Sequence, residues 1–66
     1  MIPKYTLGDI LEDVFYQDKK RYTYHYMITK VDMDRELYTV FSLNKGMSFK
    51  QPFRYYDNSP NTTKVA

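Results

Sequence analysis

The sequence predicts a mainly β protein: a small, strongly bent antiparallel sheet, or a small barrel, of four to five strands. Residues 22–31 alternate Tyr22, Tyr24, Tyr26 and Ile28 with Thr23, His25, Met27 and Thr29, the period-2 pattern of a half-buried strand. Residues 36–43 and 47–51 repeat that alternation on either side of Asn44-Lys45-Gly46, a hairpin signal in which glycine supplies a positive φ. Aromatic residues make up 18% of the chain, eight of them Tyr, and aromatic and β-branched side chains favour strands over helices.

The elements follow in order. Gly8-Asp9 is turn chemistry, because glycine accepts positive φ and aspartate bonds nearby amides. Residues 7–16 read as a strand. A short N-terminal helix is the alternative, since Leu7, Ile10, Leu11, Val14 and Phe15 also fit an i, i+3, i+4 stripe. Gln17-Asp18-Lys19-Lys20-Arg21 reads as a charged loop, and the strand over 22–31 follows it. Val31 is out of phase with Ile28, which a bulge near Thr29-Lys30 would cure.

Asp32-Met33-Asp34-Arg35 is a turn into the strand over 36–43. There Leu37, Thr39, Phe41 and Leu43 share one face, while Tyr38 and Val40 share the other. Residues 47–51 return as a fourth strand, ended or marked as an edge by Pro52. Phe53-Arg54-Tyr55-Tyr56 fits one helical turn or an irregular strand. Asp57 to Asn61 is a loop, and residues 62–66 are a last edge strand or a frayed end.

A chain of 66 residues holds one domain, residues 1–66, and no second core. Chains this short bury roughly 60% of their unfolded surface, so packing must carry the fold. There are no cysteines and only one histidine, which excludes disulfides and the usual zinc clusters. No apolar run approaches a membrane span, and the start Met1-Ile2-Pro3-Lys4 lacks the apolar stretch of an export signal. A cytoplasmic protein with no membrane association is the expectation.

The layout Leu7-Gly8-Asp9-Ile10, a loop, Tyr26-Met27-Ile28-Thr29-Lys30-Val31, and Tyr38-Thr39-Val40-Phe41-Ser42-Leu43 before Asn44-Lys45-Gly46 resembles SH3-like small barrels. It is also similar to short uncharacterised proteins of bacteriophages and mobile elements. The resemblance spans roughly residues 6–50 and implies an SH3-like barrel, a viral origin and the host cytoplasm as location. It transfers no functional residue.

Catalysis is the weakest functional reading. His25 with a nearby acid has the elements of a general base, but no cysteine nucleophile, phosphate loop, metal-ligand spacing or cofactor motif accompanies it. Asp9, Glu12 and Asp13 read as a solvated face rather than a cation site. No enzyme activity, cofactor or metal is expected.

Net charge is +2, distributed as −3 over residues 1–18, +4 over 19–30, −2 over 31–44 and +3 over 45–66. Such patchiness suits orientation of a protein partner. The leading reading is a non-enzymatic protein-binding module, of the kind a phage uses to modulate or inhibit a host protein. Its candidate contacts are Tyr38 and Val40, if the Leu37/Phe41 face is the buried one, together with Arg54, Tyr55 and Tyr56.

The alternative is a nucleic-acid-binding barrel. In it Lys19, Lys20 and Arg21 would meet phosphates, and Tyr22, Tyr24 and Tyr26 would stack on unpaired bases. A structural homo-oligomer, such as a homodimer sharing the Tyr38/Val40 face, is the third reading. A tyrosine cage for a methylated or quaternary cation also fits the composition, although no spacing selects it.

Overall fold

The computed structural model describes residues 2–66; Met1, the first residue of the start read above, lies outside the described residues. Five strands, β1 (Ile10–Gln17), β2 (Lys20–Asp32), β3 (Leu37–Ser42), β4 (Met47–Pro52) and β5 (Thr62–Lys64), and one short helix, α1 (Phe53–Asp57), follow the chain. All neighbouring strands are antiparallel, in the order β4-β3-β2-β1-β5. The sheet is therefore open, and the barrel alternative is not realised: β4 and β5 stand at opposite edges.

Residues 10–17 are a strand, not a helix. The helical stripe of Leu7, Ile10, Leu11, Val14 and Phe15 loses because β2 offers a full-length partner. Ile10 to Gln17 pair residue by residue with Met27 to Lys20. The connection is tighter than the five-residue charged loop read from the sequence. Gln17 pairs Lys20, leaving only Asp18 and Lys19 as the turn, with φ of 52° and 65°. Two positive φ values are what a two-residue hairpin of the right twist requires. Neither residue is glycine, so composition alone reads as loop.

The bulge in β2 falls where the phase change requires it, between Ile28 and Lys30 in the pairing with β3. It returns Val31 to the face of Ile28, opposite Tyr38. At the β2–β3 turn, Asp32 Oδ1 accepts the backbone N–H groups of Asp34 and Arg35. At the β3–β4 turn, Gly46 has φ 69° and donates its N–H to the Ser42 carbonyl.

Pro52 ends β4, and residues 53–61 carry the chain across one face of the sheet to reach β5 on the far side of β1. That crossing decides which face is inside. Phe53 and Tyr56 of α1, with Tyr5 from the N-terminal segment, close over Leu11, Ile28, Tyr38 and Val40 to form the core. Each such burial contributes on the order of 1.5–3 kcal/mol.

Tyr38 and Val40 are thus fully buried, and their reading as surface contacts is corrected, as is that of Tyr56. On the opposite face Ile10, Met27 and Phe41, each partly buried, form one row across three strands. The shared sheet face proposed for a homodimer through Tyr38 and Val40 is likewise not at the surface. Among the described residues no helix is long and apolar enough to cross a membrane.

Candidate binding site

The β1–β2 hairpin places an aromatic ladder on the same face as the core. In antiparallel pairing, residues directly opposite share a face, so Phe15 and Tyr22, Asp13 and Tyr24, and Leu11 and Tyr26 form successive rungs. Phe15 stacks against Tyr22 at 5.3 Å and 19° between planes, and against Tyr24 at 5.2 Å and 8°. Tyr24 continues to Tyr26 at 6.5 Å. At the inner end Tyr26 packs on Phe49 and Tyr56, which joins the ladder to the core.

Helix α1 supplies the facing wall. Its buried Phe53 and Tyr56 fix its orientation, and that leaves Arg54 and Tyr55 outward. Tyr55 is 54% exposed and meets Tyr56 edge-on at 5.0 Å. Between Tyr55 and the ladder lies a recess of about 530 Å³, lined by Asp13, Phe15, Tyr24 and Tyr26, by Ser59 and Asn61 of the crossing segment and by Lys45. Lys45, on the β3–β4 turn, holds its Nζ 5.8 Å from the centre of the Tyr24 ring, within cation–π range.

The carboxylate of Asp13 is the negative charge of this recess. It accepts a long hydrogen bond of 3.4 Å from the Thr62 hydroxyl and forms no ion pair among the described residues. Its field is felt by the neighbouring phenols. Burial raises the Tyr26 and Tyr56 hydroxyls above their ordinary 10.0, and Asp13 adds to both. These tyrosines hold their protons throughout the physiological range and present O–H donors.

The basic run separates. Lys19 sits in the turn, Lys20 shares the ladder face opposite Gln17, and Arg21 lies on the other face opposite Tyr16. Tyr22, Tyr24 and Tyr26 stay together, but much of their ring surface is occupied by one another and by Phe15. Arg54 lines a second, smaller concavity of about 340 Å³ with Arg35, Glu36, Leu37, Pro52 and Phe53.

His25 pairs with Glu12, Nε2 to Oε2, at 3.1 Å. Both lie on the sheet face away from α1 and outside both concavities. Among the described residues no group of three or more potential metal ligands is gathered.

Two sets of residues that are separate in sequence therefore converge: Tyr55 from the α1 segment, and Tyr24 and Tyr26 from β2. Asp13, Phe15 and Lys45 were not singled out as binding residues by sequence reasoning. The signal for the first two was available in the hairpin, because a turn centred on Asp18-Lys19 sets Phe15 against Tyr22 and Asp13 against Tyr24. Lys45 had no local signal. Fold and recess together define a small open-sheet β domain with an acid-centred aromatic recess. No protein-family model, curated protein or solved structure matches the chain.

Proposed function

We propose that this chain is a non-enzymatic protein-binding module that takes a segment of a partner protein into the recess between α1 and the β1–β2 hairpin. The observation that carries the reading is Tyr55: a large aromatic left 54% exposed, facing a recess of about 530 Å³ walled by Phe15, Tyr24 and Tyr26. In a domain this small few aromatics can be spared from the core. Exposed tyrosines around a desolvated pocket are characteristic of interface hot spots.

A polypeptide suits this recess better than a nucleic acid strand. Stacking of successive bases needs a row of free rings, and here Phe15 occupies a face of both Tyr22 and Tyr24. The cations of residues 19–21 are divided between the two faces of the hairpin and its turn, and Asp13 opposes phosphate within the recess. From the resemblance read in residues 6–50 we further propose a host protein as the partner, with modulation or inhibition as the outcome.

The test is selection from a random-peptide display library against the intact chain, with binding mapped by amide chemical shifts. Selected peptides should perturb Tyr24, Tyr26, Tyr55 and Asn61. They should lose about tenfold or more in affinity for Tyr55→Ala, with no change in its urea midpoint. Peptides that bind Tyr55→Ala equally well would overturn the reading. So would salt-sensitive binding of single-stranded oligonucleotides at Tyr22 and Tyr24, in favour of the nucleic-acid alternative.

A further inference from the structure

Asp13 is an acid without a cationic partner, set among rings that already draw a cation. Its cross-strand neighbour is Tyr24, Tyr26 and Tyr55 share its recess, and among the described residues no basic group reaches it within ion-pair distance. Lys45 instead stands off over the Tyr24 ring at 5.8 Å. An exposed cation–π contact of this kind is weak, so a ligand displaces it at little cost. Carboxylate, aromatic walls and a weakly held internal cation are together the complement of a positively charged side chain.

We propose that the recess is a binding site for an arginine side chain of the partner protein, with Asp13 as its counter-ion and Tyr24 and Tyr55 as its walls. A guanidinium is planar, stacks on aromatic rings and presents a fork of donors that a carboxylate accepts two at a time, whereas an ammonium does only the electrostatic part. Lys45, over the Tyr24 ring, is an internal competitor that the arginine displaces. This inference rests on the protein-binding reading and names the chemistry of the contact.

The experiment titrates the intact chain with N-acetyl-argininamide, with N-acetyl-lysinamide, and with the citrulline analogue as a neutral isostere, following amide chemical shifts. The arginine probe should give saturable shifts at Asp13, Tyr24, Tyr55 and Asn61, and citrulline should give none. Asp13→Asn keeps the side chain's shape and an acceptor for Thr62, and it should weaken arginine binding about tenfold or more. Lys45→Met leaves the hairpin and α1 untouched and should tighten it roughly threefold, within the range of an exposed cation–π contact. That variant keeps the proposal testable should Asp13→Asn fail to fold.

Citrulline binding equal to arginine, or arginine binding unchanged in Asp13→Asn, would overturn the counter-ion role, and tightening absent in Lys45→Met would overturn the displacement of Lys45. Lysinamide binding as tightly as argininamide would overturn the guanidinium assignment. Display-selected peptides that bind at Tyr55 without dependence on a basic residue would overturn this inference alone. Absence of any selectable peptide would overturn the protein-binding reading with it.

Discussion

The Tyr38 hydroxyl donates a 2.7 Å hydrogen bond to Asp57 Oδ1 from a position with no solvent exposure, and the same oxygen accepts the Tyr5 backbone N–H at 3.1 Å. Asp57 Oδ2 in turn accepts the Lys4 backbone N–H. One phenol on β3 thereby fixes both covers of the core, the N-terminal segment and the end of α1. The pair also explains why a helix of five residues, with no side-chain cap at its N-terminus, keeps its place.

Tyr38→Phe should therefore cost about 1–3 kcal/mol, because it leaves the buried Tyr5 N–H without its acceptor and removes the donor to Asp57. The contrasting variant is Tyr5→Phe. The Tyr5 hydroxyl is buried and has no hydrogen-bond partner among the described residues. Its removal should leave stability unchanged or raise it by up to about 1 kcal/mol. Urea denaturation of the two variants checks both signs, and similar losses in each would contradict the assignment.

Alkaline pH should unfold the domain early. Burial raises the Tyr38 phenol above its ordinary 10.0 with help from the hydrogen bond to Asp57, and burial raises Tyr56 and Tyr26 as well. In the unfolded chain these phenols ionise near pH 10, so above that pH the unfolded state binds fewer protons than the folded one. Their contribution is intact below about pH 10 and is lost as pH rises toward the folded values. Urea midpoints measured upward from neutral pH should hold steady and then fall steeply, in step with phenolate absorbance. Tyr56→Phe should soften the fall.

The β1–β2 turn is strained by two non-glycine residues at positive φ, Asp18 at 52° and Lys19 at 65°. Lys19→Gly should stabilise the domain by roughly 0.5–1 kcal/mol, since glycine adopts this conformation without a Cβ clash. A rise in urea midpoint with an unchanged amide spectrum for Phe15, Tyr22 and Tyr24 is the expected result. A loss would mean that the turn is held by contacts of the Lys19 side chain.

Adjacent residues on β2 should respond very differently to truncation. Ile28 is fully buried beneath the cover formed by α1 and Tyr5, whereas Met27 is half-buried on the open face beside Ile10 and Phe41. Ile28→Ala should cost about 2–5 kcal/mol, enough to unfold much of a domain this size. Met27→Ala should cost on the order of 1 kcal/mol or less. Equal costs measured by denaturation would place the core on the wrong side of the sheet.

Local pattern alone places strands β2, β3 and β4, the bulge after Ile28, the glycine turn at Gly46 and the sorting of residues into shared faces. Those features are local: side-chain alternation has a period of two, and a phase slip between Ile28 and Val31 admits few remedies. Alternation does not say which face is covered. On β3 the two faces are almost equally apolar, Leu37 and Phe41 against Tyr38 and Val40, and only the crossing of residues 53–61 with the N-terminal segment settles it.

The same long-range path assembled the recess. Asp13 reaches Tyr24 through the hairpin, but Tyr55 joins them only because Phe53 and Tyr56 anchor α1 over the sheet, and Lys45 arrives from a turn at the far end of β3. Chain distance hides such neighbours from any local pattern. Their meeting is a consequence of burying one face of an open sheet with a single short strap of chain.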